Sequence, residues 1–190
     1  NGADYIHIDI MDGHYVPNIT FGPNIVKSLR KVTSKILDVH LMIKPVKQYI
    51  NEFVEAGSDI ITFHPEADDN PEQLIKMISD AEIKAGIAIH PEVNITDIDH
   101  LFSKVQQIIV MTVTPGFGGQ KFMHDQVQKI KDLDEIRKNN NYNYEIAVDG
   151  GVNNENAKIC KDNGADVLAV GSYLLSQNQN KYNEIINSLR

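Results

Sequence analysis

Three short stretches bring histidine and carboxylate to the ends of apolar runs. In Ile6-His7-Ile8-Asp9-Ile10-Met11-Asp12, a strand would set His7, Asp9 and Met11 on one face and the isoleucines on the other. In Val39-His40-Leu41-Met42, His40 and Met42 share a face, and Val148-Asp149-Gly150-Gly151 adds a further carboxylate. Singly, each has a plainer reading: a strand-end His–Asp hydrogen bond, a core histidine, an Asp-Gly turn. A buried charge needs a partner or a metal. Two imidazoles and two carboxylates converging from three strands make a site for one divalent metal ion. Mixed N and O ligands suit Zn, Fe, Mn or Co better than Ca or Mg.

A second set of residues points to phosphate. Pro115-Gly116-Phe117-Gly118-Gly119-Gln120 follows one apolar run, and Gly150-Gly151 and Gly171-Ser172 follow the next two. Glycine lets the backbone approach an oxyanion and presents N–H groups to it. Tight turns would explain each pair, but not the clustering of all three after consecutive runs.

The elements that must position these residues alternate. Strands are expected at Tyr5–Ile10, Ile36–Met42, Ile60–Phe63, Gly86–Ile89, Gln107–Val113, Tyr144–Val148 and Val167–Val170. Several are apolar on both faces, as in a covered parallel sheet. Helices are expected at Pro23–Arg30, Val46–Glu55, Pro71–Ile83, Thr96–Ser103, Met123–Asn139, Asn153–Asn163 and Lys181–Leu189. This repeat implies an α/β fold with right-handed crossovers. Gly57-Ser58-Asp59 and Gly164-Ala165-Asp166 each close a helix and open a strand, with glycine as the left-handed cap. The same phrase, Gly2-Ala3-Asp4, stands at the start of the sequence. The expectation is a (β/α)8 TIM barrel, one domain over 1–190, that lacks its first strand and helix; an open seven-stranded sheet is the alternative. In a closed barrel all strand C-termini open on one face, where catalytic residues collect and where the last loops hold phosphate.

Composition narrows the partners. The 190 residues carry 18 Lys and Arg against 26 Asp and Glu, a net charge of −8. That balance argues against nucleic acid, which is bound by basic faces, but not against a small phosphorylated ligand. No apolar run reaches the roughly 18 residues of a membrane span, and no leader pattern opens the sequence. Cys160 is the only cysteine, so no disulfide framework forms within the chain and a reducing, cytoplasmic setting is expected. It is read as core packing.

With these residues in hand, the chain resembles the ribulose-phosphate 3-epimerase family. The segment from His7 to Asn18 (HIDIMDGHYVPN) is similar to its first signature, and Val110 to Phe122 (VMTVTPGFGGQKF) to its second. His40-Leu41-Met42 and Asp149-Gly150-Gly151-Val152 match in order and separation. The resemblance spans essentially the whole chain. It implies metal ligation by His7, Asp9, His40 and Asp149, with Asp9 and Asp149 as the two acid–base residues. It further implies that Met11, Met42 and Met111 line the reacting carbons, with His40 also at the substrate. The phosphate would be held by Gly116, Phe117, Gly118 and Gly119 together with Gly150, Gly151, Gly171 and Ser172. The family also carries a substrate-contacting serine on its first strand, the strand expected to be lacking, so that serine is not assigned. Thr114 stands where relatives often have Glu or Asn, and His90 where Asn is common.

The reaction so implied is interconversion of D-ribulose 5-phosphate and D-xylulose 5-phosphate. A base removes the proton beside the carbonyl and an acid returns one on the opposite face. A sugar phosphate is the expected partner, and the protein itself a homo-oligomer. A 3-epimerase of a six-carbon ketose phosphate such as allulose 6-phosphate is the alternative. A decarboxylase or aldolase-type synthase fits less well, because no lysine stands among the candidate strand ends. The other histidines (His14, His64, His90, His100, His124) are read as structural or surface residues, with His14 and His64 near enough to strand-end loops to touch the site.

Overall fold

The computed structural model describes residues 2–190. Seven strands form one parallel sheet in chain order: β1 (Tyr5–Met11), β2 (Ile36–Met42), β3 (Ile60–Phe63), β4 (Lys84–Ile89), β5 (Gln107–Met111), β6 (Glu145–Asp149) and β7 (Val167–Ala169). Between them lie α1 (Pro23–Arg30), α2 (Ile50–Glu55), α3 (Pro71–Asp80), α4 (Ile95–Ile98), α5 (Val127–Asn140) and α6 (Ala157–Asp162), with α7 (Ser172–Leu175) and α8 (Tyr182–Leu189) after β7. Register places Asp9 beside His40 and Met11 beside Met42 across β1 and β2, and Met111 beside Asp149 across β5 and β6. The sheet curls: the Tyr5 hydroxyl of β1 donates to both carboxylate oxygens of Glu145 on β6, at 3.0 and 3.1 Å. The result is a nearly closed TIM barrel of seven staves, with β1 and β7 as its edges.

Strand alternation sorts the side chains as expected. Ile8 and Ile10, with Val39, Leu41, Ile61, Phe63, Ile87 and Ile108, pack outward in the main core against the helices. Ala88, Ile109, Met111, Val113 and Ala147 form a second cluster within the barrel. Cys160 is fully buried on α6, and burial pushes its thiol up to about 11, as the packing reading requires.

Helix boundaries moved where local turns took over. The α3 helix stops at Asp80 because Glu82 adopts a left-handed φ of 60°. The helix expected from Asn153 begins at Ala157, since the Asn153 side chain accepts from the Glu155 and Asn156 N–H groups in a turn of its own. Single turns of 3-10 helix replace the starts of two expected helices, at Lys47–Tyr49 and His124–Gln126, and Asp99–Lys104 carries on from α4 as 3-10 helix. At four residues, α7 is too short to show a period and was not anticipated.

The recurring Gly-X-Asp phrase turns out to be an arginine clamp. Arg30 of α1 donates to the Gly57 carbonyl and the Asp59 carboxylate, while Asp59 accepts the Leu37 N–H. Arg137 of α5 does the same to Gly164 and Asp166, and Asp166 accepts the Ile146 N–H. Arg190 binds the Gly2 carbonyl and Asp4, at 2.6 and 2.7 Å. All three lie at the N-terminal end of the strands. Replacing Arg137 with Met leaves the Asp166 carboxylate and the Gly164 and Tyr144 carbonyls without this donor. A loss of about 2 kcal/mol is expected, or about 4–8 °C in Tm, with kcat unchanged. Arg137 also binds Asp134. Burial would raise the Asp134 carboxyl, but Lys138 and Arg137 override it and hold it below 3.8. Its folded-state value is thus depressed, so this stabilisation is full above the unfolded value and is lost as pH falls through the lowered one. Arg137→Met therefore reduces the dependence of stability on pH in acid. Melting curves at neutral and acid pH check both, and an unchanged Tm would contradict them.

Candidate active site

At the C-terminal ends of β1, β2 and β6, His7, Asp9, His40 and Asp149 each turn one ligand-type atom to a common point, all four within 4.8 Å of one another. Asp9 Oδ1 lies 3.3 Å from both His7 Nε2 and His40 Nδ1. Asp149 Oδ2 lies 3.8 Å from His7 Nε2 and 3.6 Å from His40 Nδ1. Of these atoms, His7 Nε2, Asp9 Oδ1 and His40 Nδ1 are buried without a hydrogen-bond partner. Buried polar atoms left in that state are costly, and a divalent cation among them would satisfy all three at once. The donor set therefore fits a metal centre.

The electrostatics point the same way. Burial alone would raise the Asp9 and Asp149 carboxyls, yet His40 and His7 hold both below 3.8. Burial would lower the two imidazoles, but Asp38, with Asp149 and Asp9, holds His7 well above 6.5, and Asp149 with Asp9 raises His40. The carboxylates are therefore ionised at neutral pH. Asp38, 1% exposed, accepts a hydrogen bond from His7 Nδ1 at 2.7 Å. Without a cation the imidazoles are favoured in their charged form by these carboxylates; with one in the cluster, a neutral His7 held by Asp38 would turn its Nε2 lone pair to it.

A cleft opens above the cluster. Asp9 and Asp149 reach it with side chains 41% and 16% exposed, whereas His40, at 0%, lies beneath and does not line it. Met11, Met42 and Met111 form its floor. Its rim is made of the expected loops: Gly116, Phe117, Gly118 and Gly119, then Gly150 and Gly151, then Gly171 and Ser172. Two of these glycines are required by geometry. Gly150, at φ 123°, lies so close to Val113 that a Cβ would sit 2.6 Å from its side chain. Gly151, at φ 64°, would place a Cβ 2.8 Å from the Gln120 carbonyl and the Phe122 N–H nitrogen.

Several supporting residues escaped the sequence reading. Asn18 donates to the Gly116 carbonyl at 2.8 Å, and Gln120 to the Thr114 and Phe117 carbonyls, which pins the glycine loop. Thr112 holds the Asp149 and Gly150 carbonyls, and buried Asn156 holds that of Gly151. For these, spacing gives no signal. Asp38 could have been found, since it shares the inner face of β2 with His40. His64, read as structural, lies fully buried against His40, and burial lowers it to about 4, so it is neutral. His90 and Thr114 border a neighbouring cavity with Tyr15, Glu66 and Glu92 and do not line the cleft.

Parallel strands ending in an imidazole–carboxylate cluster beneath glycine loops define a (β/α)-barrel enzyme with a candidate metal centre. Similar architectures include 3-keto-L-gulonate-6-phosphate decarboxylase from Vibrio cholerae, with a TM-score of 0.70 at 17% identity over 97% of this chain and 94% of that one. Another is phosphoribosyl anthranilate isomerase from Thermococcus kodakaraensis, with a TM-score of 0.66 at 14% identity over 98% and 86%. At those identities the likeness concerns fold alone. The family model for ribulose-phosphate 3-epimerases matches residues 1–175. The ribulose-phosphate 3-epimerase of Bacillus subtilis is 44% identical over 95% of this chain and 83% of its own length. That of Escherichia coli K12 is 38% identical over 100% and 84%. The chain belongs to the ribulose-phosphate 3-epimerase family. Among the described residues, no helix is long and apolar enough to cross a membrane.

Proposed function

We propose that the protein interconverts D-ribulose 5-phosphate and D-xylulose 5-phosphate by moving a proton at carbon 3. One observation carries the reading: two carboxylates, Asp9 on β1 and Asp149 on β6, open onto one cleft above an orphaned donor cluster. One carboxylate takes the carbon-3 proton, the C–H electron pair becomes the C2–C3 double bond, and the carbonyl π pair moves onto the carbon-2 oxygen, giving an enediolate. The other, which must carry a proton taken up from solvent at this stage, delivers it to the opposite face as the carbonyl re-forms, and the roles exchange with direction. His7, Asp9, His40 and Asp149 would hold one divalent cation, and their mixed N and O donors favour Zn, Fe, Mn or Co. When bound, it supplies Lewis-acid stabilisation of negative charge on the substrate oxygens. Met11, Met42 and Met111 give the planar intermediate a polarizable, water-excluding floor. The backbone at Gly116–Gly119, Gly150–Gly151 and Gly171–Ser172 holds the phosphate, a remote grip that orients carbon 3 between the acids. The relatives' names favour the pentose over a six-carbon ketose phosphate.

The test is conversion of ribulose 5-phosphate in heavy water. Xylulose 5-phosphate carrying deuterium at carbon 3 is expected, and product without solvent deuterium excludes the proton-transfer route. Gly151→Ala tests the phosphate grip. Strain of about 1–3 kcal/mol at this position should raise KM about tenfold or more while kcat falls less. An unchanged KM would remove Gly151 from the phosphate site.

A further inference from the structure

We propose that His64 and Glu66 are positioning residues for the metal centre, fixing His40 in the tautomer that turns a bare Nδ1 toward Asp9 and Asp149; this rests on the metal-centre reading above. His64 follows β3 directly and is fully buried. Its Nε2 lies 3.0 Å from His40 Nε2. Two facing ring nitrogens at that distance share one proton, so one ring donates and the other accepts. The other edge of His64 decides which. Its Nδ1 lies 3.4 Å from Glu66 Oε1, an oxygen that also accepts the Tyr15 hydroxyl at 2.7 Å. A carboxylate repels a lone pair and favours a proton, so Nδ1 of His64 carries the proton and its Nε2 accepts. His40 must then donate from Nε2, and with a cation in place of a proton between Nδ1 and the Asp9 and Asp149 carboxylates, a neutral His40 has only a lone pair left at Nδ1. The opposite assignment sets a His64 lone pair against Glu66 and a His40 proton into the donor cluster.

The arrangement mirrors the other imidazole. Asp38 accepts from Nδ1 of His7 and leaves Nε2 to the cluster, whereas His64 accepts from Nε2 of His40 and leaves Nδ1 to it. The two rings would thus present opposite nitrogens, each set by its own partner. Tyr15 closes the relay, its ring packed at a tilt on His64 with centroids 4.7 Å apart. Partners of this kind fix ligand orientation and basicity.

The test measures cation affinity of the full chain by chelator competition with Zn2+ and by the visible spectrum of the Co2+ form. His64→Leu removes the acceptor and should weaken affinity about 10–100-fold, with a changed Co2+ spectrum. His64→Gln keeps a carbonyl for His40 and an amide for Glu66, and should restore most of the affinity and the spectrum. Glu66→Ala should weaken affinity by a smaller factor. Wild-type affinity in His64→Leu, or equal losses in the Leu and Gln variants, overturns the proposal. If His64→Leu does not fold, wild-type affinity in Glu66→Ala overturns it. A wild-type chain that binds neither Zn2+ nor Co2+ would instead sink the metal-centre reading, which separates the two failures.

Discussion

Asp149→Asn is expected to slow interconversion of the two pentulose phosphates by about 10²–10⁴-fold, the usual contribution of a positioned acid or base. The substitution is nearly isosteric. It leaves the Thr112 bonds to the Asp149 and Gly150 carbonyls in place, because those engage the backbone. The loops around the phosphate should therefore keep their shape, and KM should change far less than kcat. The same substitution removes a carboxylate whose charge His40 and His7 favour despite burial and the repulsion of Asp9, so at neutral pH Tm should fall modestly along with activity. Steady-state kinetics and melting curves check the pair of effects. Carbon-3 exchange in heavy water at the wild-type rate in this variant, starting from either epimer, would show that Asp149 is not one of the two proton carriers.

Stripping divalent cations with a chelator should abolish turnover, and adding back Zn2+, Fe2+, Mn2+ or Co2+ should restore it. The argument is the orphaned set His7 Nε2, Asp9 Oδ1 and His40 Nδ1. The stripped protein should remain folded, since the imidazoles can ion-pair with Asp38, Asp9 and Asp149 in the absence of a metal. A cation that binds only the folded form at about 100 times its Kd adds about 2.7 kcal/mol, or about 5–11 °C in Tm for a chain of this size. Melts across a cation titration read this directly. Full activity in the stripped protein would refute the assignment.

Much of this was legible in the residues because two physical signals are strong. Period-two alternation put His7, Asp9 and Met11 inside and the isoleucines outside, since a slip by one residue would invert β1. Paired apolar faces marked the parallel sheet. The rest was hidden for definable reasons. Asp38 satisfies the same parity as His40 but looks like any strand-edge acid until its 1% exposure is known. His64 and Glu66 matter through three-dimensional contact with β2 and Tyr15, which spacing does not encode. Asn18 and Asn156 act through side-chain bonds to distant carbonyls, and α7 is too brief to carry a period. The Gly-X-Asp repeat was visible as a cap, but its arginine partners lie 27 or more residues away in sequence.

The placement of those three arginines has a consequence for how the protein can change. Arg30, Arg137 and Arg190 brace the floor of the barrel, while the reacting groups stand at its rim. Substitution at these braces should therefore shift heat tolerance while leaving the reacting groups in place, an uncoupling that the rim residues, which carry both chemistry and cation-linked stability, do not allow.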